Sequence, residues 1–218
     1  MQRWLFSLSL AGCTASQPPA QGPMHEHHDH HHGHGHFSDA HESAKHLDDP
    51  SRDEWQHPDE VVRALQLSPA MTVADVGAGT GYFAVRLARA VPQGQVIATD
   101  IEPDMVKYLN ERAQREHLSN LRATSDKLAP RSVDAILVVH VWHHVDDRTA
   151  FAKELVAALK PGGRIIVVEF ADGAHHGPPP EMRLAPPKVI ADLAAAGLTA
   201  TVSPIAVPEQ YIVEAHAP

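Results

Sequence analysis

The 218-residue chain has few basic residues, a single cysteine and no long apolar run beyond its first residues. Its 18 lysines and arginines are outnumbered by 27 aspartates and glutamates, which gives a formal net charge of −9 with histidine neutral. No basic stripe offsets that charge, so the composition argues against a non-specific nucleic-acid binder and favours small or apolar substrates. Beyond residue 13, no stretch is long and apolar enough to span a bilayer. The length suits one folded domain with a tail.

The only cysteine, Cys13, follows a short apolar N-terminus. Arg3 and the apolar residues 4–10 precede the sequence Leu-Ala-Gly-Cys, which resembles a bacterial lipoprotein signal with its lipobox. In this interpretation residues 1–13 form the signal, and a lipid on Cys13 is the protein's membrane attachment. The predicted location is then the cell envelope. If residues 4–10 are instead a chance apolar start, the predicted location is the cytoplasm.

Residues 14–47 are predicted to form a flexible tether that is rich in histidine. The candidate metal ligands are His25, His27, His28, His30, His31, His32, His34 and His36. Imidazoles interleaved with carboxylates and glycine can adapt to Zn(II), Ni(II) or Cu(II) without a preformed cage. The alternative is a solvated low-complexity tail without a role in metal binding.

Residues 73–83 read as a buried strand, a glycine-rich turn and the first turn of a helix, which is the start of a nucleotide-binding βα unit. Gly77, Gly79 and Gly81 alternate through the turn, where positive φ angles and close approach of a ligand to bare backbone are expected. A dinucleotide fingerprint would place its third glycine at Tyr82. The spacing G-x-G-x-G therefore favours another nucleotide-containing ligand.

With Asp75 two residues ahead of Gly77, this stretch resembles motif I of the class I S-adenosylmethionine-dependent methyltransferases. The resemblance implies an α/β fold with a Rossmann-like sheet of seven strands in the order 3-2-1-4-5-7-6, strand seven antiparallel, and helices on both faces. Residues 48–218 would form this domain. It also implies S-adenosylmethionine as cofactor, bound at Asp75, Gly77, Gly79 and Gly81.

Two further acids follow predicted strands. Asp100 ends an apolar strand that begins at residue 95, where the fold places a carboxylate for the ribose hydroxyls. Asp126 follows a short strand over residues 121–124, and in the resembled family an acid here accepts a hydrogen bond from the adenine amino group. A turn acid without a ligand is the alternative for Asp126.

Residues 132–139 form a continuous apolar strand of the doubly buried parallel kind. It ends in a histidine-rich segment that resembles motif IV of the family, where cofactor and acceptor meet. His140 is predicted to contact the cofactor, and His143 and His144 are candidate general bases. The alternative is local packing or hydrogen bonding of these imidazoles. The Leu-Lys-Pro-Gly-Gly turn at residues 159–163, a helix stop before another apolar strand, is a further family mark.

Pro58 followed by acids predicts a helix start ahead of the first strand, which makes Trp55 either a lid residue over the site or a buried anchor. Residues 171–186 are expected to shape the pocket of an unidentified small-molecule acceptor. Methylation of metalloids by a cysteine-dependent route is disfavoured, since Cys13 lies in the predicted signal. A lipoprotein would lie where S-adenosylmethionine is not expected to be abundant, so the alternative is a metal-handling lipoprotein with a non-catalytic methyltransferase-like scaffold.

Overall fold

The structure is a computed structural model that describes residues 39–217. The helices are α1 (Ala40–Leu47), α2 (Arg52–Gln56), α3 (Pro58–Ala64), α4 (Tyr82–Ala90), α5 (Pro103–Arg115), α6 (Arg148–Ala158) and α7 (Pro186–Ala195). The strands are β1 (Thr72–Val76), β2 (Gln95–Thr99), β3 (Leu121–Thr124), β4 (Val133–Val139), β5 (Leu159–Phe170), β6 (Thr199–Val202) and β7 (Gln210–His216). Short 3-10 turns occupy Trp142–His144 and Pro180–Met182.

All seven strands form one sheet in the order β3-β2-β1-β4-β5-β7-β6. The pairs among β1 to β5 are parallel, and β7 runs antiparallel to both β5 and β6. The predicted strand order and the antiparallel seventh strand are confirmed. The order reverses between β1 and β4, and ligands of open parallel sheets bind outside the carboxyl ends of the strands at such a reversal.

The two faces of the sheet bury separate apolar clusters. Val73 and Leu137 belong to the cluster that α3, α4 and α5 cover. Their chain neighbours Ala74 and Ile136 belong to the cluster that α6 and α7 cover. Because successive side chains of a strand point to opposite faces, covering both faces requires strands that are mainly apolar, as β1 and β4 are apart from Thr72, Asp75 and Asp134.

Strand β5 differs from the sequence prediction at its start. A turn was expected over residues 159–163, but these residues belong to β5. The pairing with β4 passes from Val133 opposite Leu159 to Ala135 opposite Arg164, so four residues of β5 bulge out of the register. The predicted turn is thus an interruption within the strand, and α6 ends at Ala158, directly before β5.

Part of the predicted tether is helical. The eight residues of α1 lie inside the segment 14–47 that was expected to be a tether. The Asp39 carboxylate accepts hydrogen bonds from the backbone N–H groups of His41 and Glu42, which caps the helix. At the other end, Asp48 Oδ1 accepts hydrogen bonds from Arg112 and Thr80, each under 3.0 Å. These long-range contacts explain why a short polar segment is helical here.

Two searches of residues 39–217 were negative. No helix in this range is long and apolar enough to cross a membrane. The same range holds no group of three or more histidine, cysteine, aspartate or glutamate side chains placed to hold a metal ion. The candidate metal ligands between His25 and His36, and Cys13, lie outside the described residues.

Candidate functional site

The glycine turn between β1 and α4 has the backbone geometry that its sequence predicts. Gly77, Gly79 and Gly81 have φ angles of +74°, +55° and +95°. A Cβ on Gly77 would lie 2.3 Å from Val141 Cγ2, and one on Gly81 would lie 2.2 Å from Leu109 Cδ1. Both contacts are far too short, so side chains are excluded by space as well as by φ. The contact with Val141 also places the turn against the end of β4.

The carboxylate of Asp75 is buried in β1 beneath this turn. The residue is 3% exposed, and its Oδ2 has no hydrogen-bond partner among the described residues. Burial raises the pKa of Asp75 from its ordinary 3.8 to about 7, and the nearby charge of Asp100 adds to the rise, while a backbone hydrogen bond from Ala84 opposes it. An orphaned buried carboxylate implies a missing donor or cation. A positively charged ligand group would complete it.

Asp100 and Asp126 follow neighbouring strands. Asp100 Oδ2 accepts a hydrogen bond from Gly79 N at 2.8 Å, which ties the end of β2 to the glycine turn. Its Oδ1 accepts one from Glu102 N at 3.0 Å. Asp126 is exposed, and its Oδ2 accepts a hydrogen bond from the Thr124 hydroxyl at 3.0 Å. Asp100, the predicted ribose acid, is therefore hydrogen-bonded to the glycine turn. Asp126, the predicted adenine acid, is exposed at the surface beyond β3.

Ile101 is a residue of this edge that sequence reasoning missed. It directly follows Asp100, and 89% of its surface is exposed. The signal was available in the sequence, because an isoleucine between two acids cannot contribute to an apolar strand.

His140 stands at the end of β4 in a left-handed backbone conformation, with φ at 56°. Its Nε2 lies 3.0 Å from Gln210 Oε1, and its ring stacks on Phe170 with centroids 3.8 Å apart. Burial lowers the pKa of His140 from 6.5 to about 3, and the charge of Arg52 lowers it further. This imidazole is therefore neutral at physiological pH.

His143 lies in the 3-10 turn after β4 and is paired with Glu169 of β5. Nδ1 of His143 is 2.8 Å from Glu169 Oε2, and the two side chains are 3% and 1% exposed. The backbone N–H of His143 donates to the other carboxylate oxygen at 3.2 Å. His144 is exposed, and its ring centroid is 4.1 Å from that of His143. The two candidate bases are thus neighbours, but the buried one has the carboxylate partner.

Helix α2 covers the ends of β4 and β5. The Trp55 ring is stacked with His176 at 4.5 Å, and it lies 6.1 Å from both His140 and Phe170. Its carbonyl accepts a hydrogen bond from Gln210 Nε2 at 3.1 Å. Trp55, for which the sequence allowed a lid or a buried anchor, is half-buried. Its ring lies over the histidines, as a lid would, and its backbone is hydrogen-bonded to the sheet, as an anchor would be.

Arg52 holds the same helix to the glycine turn side of the site. Its guanidinium lies 4.0 Å above the Tyr82 ring, and it donates to the Leu47 carbonyl and to Gln56 Oε1. Burial lowers the pKa of Arg52. Sequence reasoning did not select this residue, since an arginine in a polar segment carries no distinguishing signal.

The structure thus sorts the predicted site residues into groups. One group lies where the strand order reverses and consists of Asp75, Gly77, Gly79, Gly81 and Asp100. The histidines after β4 lie next to this group, because Val141, which follows His140, packs against Gly77. Asp126 lies further out, two residues beyond β3. Glu169, Gln210 and Arg52 were missed by sequence reasoning.

Known proteins share this architecture. Residues 74–167 match the sequence family described as "Methyltransferase domain". An uncharacterized methyltransferase of Mycobacterium bovis is 38% identical over 115 residues, which are 51% of this chain and 45% of that protein. A demethylmenaquinone methyltransferase of Deinococcus radiodurans is 32% identical over 111 residues, 49% of this chain and 46% of that protein. The chain spans about half the length of these curated relatives.

Among solved structures, an S-adenosylmethionine-dependent methyltransferase of Aquifex aeolicus is similar over most of the described residues. The TM-score is 0.73 at 29% identity, and the match covers 82% of this chain and 97% of the other. The chain is thus similar to methyltransferases in the sequence of its central part and in fold.

Proposed function

We propose that this protein transfers a methyl group from S-adenosylmethionine to a small-molecule acceptor. The observation that carries the proposal is Asp75, a buried carboxylate with an unpartnered oxygen beneath a glycine turn that excludes side chains. S-adenosylmethionine carries an ammonium group, a vicinal diol and an adenine, and each suits a group at this edge. A dinucleotide is a poorer candidate ligand, because the dinucleotide-binding motif requires a third glycine at the position of Tyr82.

Each part of the cofactor has a candidate partner. Asp75 would accept from the ammonium group, which removes the penalty of its unpaired burial. Asp100 would bind the ribose hydroxyls, because a carboxylate oxygen has lone pairs beyond the backbone bond it already accepts. Asp126 would accept from the adenine amino group, and the exposed Ile101 would pack against the base. His140 would contact the cofactor from the β4 end.

When bound, the cofactor supplies an electrophilic methyl group on a sulfonium. The protein's own contribution is to align the acceptor and to exclude water. Trp55 and α2 close the site above the histidines, which serves the second task. His143 is the better candidate for a general base, because Glu169 stabilises the charged ring that forms when it takes a proton. His144 remains the exposed alternative.

The acceptor is proposed to be a flat ring. Trp55, His140 and Phe170 present three nearly parallel rings at the ends of β4 and β5, with interplanar angles of 26° or less. Stacking on such rings favours planar, polarisable molecules. The relative from Deinococcus radiodurans is named for a demethylmenaquinone, a quinone. Both observations favour an aromatic or quinone-like acceptor.

Titration calorimetry of the full chain with S-adenosylmethionine tests the cofactor assignment. Asp75→Asn and Asp100→Asn each remove a charge-assisted hydrogen bond of about 1.5–3 kcal/mol, so affinity should fall roughly 10- to 100-fold. Asp59→Asn, an exposed acid in the first turn of α3, is the control and should bind as the unaltered protein does. No saturable binding by the unaltered protein would refute the proposal and favour the non-catalytic scaffold.

The histidine tract is proposed to bind divalent metal independently of the methyltransferase domain. Its imidazole and carboxylate groups are good ligands for Zn(II), Ni(II) or Cu(II). Deletion of residues 25–36 should abolish the calorimetric signal with Zn(II) while leaving S-adenosylmethionine binding intact. Unchanged zinc stoichiometry after deletion would refute this proposal.

Attachment to the cell envelope through a lipid on Cys13 is proposed on the lipobox pattern. Mass analysis of the mature N-terminus, combined with cell fractionation, tests cleavage, acylation and compartment together. An intact N-terminus in the cytoplasmic fraction would refute the lipoprotein assignment and would place the enzyme where its cofactor is abundant.

A further inference from the structure

Two imidazoles from the end of β4, His140 and His143, are held by different chemical groups. Their partners come from the adjacent strands of the sheet, a carboxamide from β7 for His140 and a carboxylate from β5 for His143. A neutral imidazole has one N–H and one lone pair, and the partner decides which nitrogen carries which. The hydrogen-bond geometry therefore fixes the tautomer of each ring.

The carboxamide of Gln210 can be oriented in only one way. Its amide nitrogen lies 3.1 Å from the Trp55 carbonyl oxygen and 3.3 Å from the Pro208 carbonyl oxygen, and both of these groups can only accept hydrogen bonds. A flipped amide would turn its oxygen toward two other oxygens. Gln210 Oε1 must therefore face His140 Nε2, and that nitrogen must carry the proton. The lone pair of His140 is on Nδ1.

Glu169 imposes the opposite arrangement on His143. An ionised carboxylate only accepts, and both of its oxygens accept from this residue, one from the backbone N–H and one from Nδ1 at 2.8 Å. Nδ1 of His143 thus carries a proton, and when the ring carries only this proton its lone pair is on Nε2. Because Glu169 is 1% exposed, water does not compete for these bonds.

The charged groups around His140 differ from those around His143. His140 is faced by the cation of Arg52, by His143 and by His144, and its charged form is disfavoured by burial and by these groups. Its stacking neighbours Trp55 and Phe170 carry no charge. A proton added to His140 would therefore be destabilised.

His143 has the carboxylate of Glu169 in direct contact, with His140, His144 and Phe170 nearby. Tyr211 lies on β7, the strand paired with β5. Burial and the charge of Glu169 raise the pKa of the Tyr211 hydroxyl, so this hydroxyl stays protonated. A proton added to Nε2 of His143 would form an ion pair.

We propose that Glu169 and Gln210 are positioning residues that fix opposite tautomers, so that His143 takes a proton at Nε2 while His140 accepts a hydrogen bond at Nδ1 and stays neutral. This inference rests on the proposed function and narrows the acceptor. Two lone pairs call for donor groups on the ligand, so the acceptor is a hydroxylated ring that loses a proton on methylation. An acceptor without such a proton, such as a thioether, a tertiary amine or a quinone ring that carries no hydroxyl group, would leave both lone pairs without a donor.

The step balances as one proton transfer and one displacement. The acceptor O–H bond breaks, its proton binds Nε2 of His143, and the oxygen electron pair forms the bond to the methyl carbon. The electrons of the carbon–sulfur bond stay on sulfur, and the sulfonium methyl donor becomes a neutral thioether. Glu169 stays ionised and pairs with the resulting imidazolium through Nδ1.

Nitrogen NMR of the full chain with 15N-labelled histidine tests the tautomers without any ligand or turnover. Signals are assigned by their loss in His140→Gln and His143→Gln. At pH 7 we expect an Nε2–H ring for His140 and an Nδ1–H ring for His143. Glu169→Gln should release the fixed tautomer of His143 alone, and Gln210→Met that of His140 alone, in proteins whose thermal unfolding shows that they are folded.

Two results would overturn the tautomer assignment: the same tautomer on both rings, or spectra that neither substitution changes. The acceptor class is tested by adding catechol, a flat ring with two hydroxyl groups, to the protein with S-adenosylhomocysteine present. Catechol should shift the signals of His143 Nε2 and His140 Nδ1, and dimethyl sulfide should not. Absence of a catechol shift refutes the hydroxylated acceptor. Failure of the proposed function is seen separately, as absent cofactor binding in calorimetry.

Discussion

Replacing Asp75 by asparagine should make the ligand-free protein more stable while it weakens cofactor binding. The wild-type carboxylate is 3% exposed, one of its oxygens has no partner among the described residues, and its pKa is raised to about 7. Ionisation of this group is therefore unfavourable in the folded state. Asparagine is nearly the same size and carries no charge, so the substitution removes that penalty.

The size of this destabilisation follows from the linkage between the protonation of Asp75 and folding. A carboxyl whose folded pKa lies above its unfolded value destabilises the folded state as pH rises through the interval between the two. For Asp75 this interval runs from 3.8 to about 7, and each pH unit within it corresponds to about 1.4 kcal/mol. The penalty is thus about 3 kcal/mol greater at pH 8 than at pH 5, and it is constant above pH 7.

Urea denaturation at pH 5 and pH 8 measures this difference directly. Asp75→Asn should gain stability over the wild type at pH 8, and the gain should shrink by about 3 kcal/mol at pH 5. The affinity of the wild type for S-adenosylmethionine should in turn fall about tenfold per pH unit below 7, because a protonated Asp75 cannot pair with an ammonium group. A variant that is less stable at both pH values, or equally altered at both, would refute the reasoning.

Other predictions concern the turn and the N-terminal cover. Gly81→Ala should cost about 3 kcal/mol of unfolding free energy, because its Cβ would collide with Leu109 at a φ of +95°, whereas Gly162→Ala, with φ at +76° and nothing within 4 Å, should cost only about 1 kcal/mol. Equal losses in urea denaturation would contradict the steric argument. Arg112→Ala removes the 2.8 Å contact with Asp48, so amide exchange in α1 should accelerate while β4 stays protected. Unchanged protection of α1 would show that its capping contacts suffice.

The sheet could be predicted from the sequence because its information is local. Strand β3 has the predicted limits, residues 121–124, because a short strand pattern bounded by turn residues is a local signal.

The convergence of Asp75 and Asp100 at one edge of the sheet was likewise predictable, because Asp75 lies near the end of one strand pattern and Asp100 ends the next. Glu169 and Gln210 were not, since their roles depend on partners 26 and 70 residues away in the chain. Helix α1 was missed for the same reason. Its stability comes from contacts of Asp48 with residues of α5 and the glycine turn, which no local pattern in a histidine-rich segment reveals.

Helix α2, which carries Trp55 over the histidines, must move outward when a flat acceptor binds. A ring inserted between Trp55 and His140 needs about 3.5 Å on each side, or roughly 7 Å in all, and the two centroids are 6.1 Å apart. Gln210 joins the two halves of this slot, because its amide nitrogen bonds the Trp55 carbonyl and its oxygen faces His140. Movement of α2 would therefore loosen the group that holds the His140 tautomer. Since Pro208 also accepts from the same amide nitrogen, the carboxamide keeps its orientation while the slot opens, and the lone pair of His140 remains available to the incoming ring.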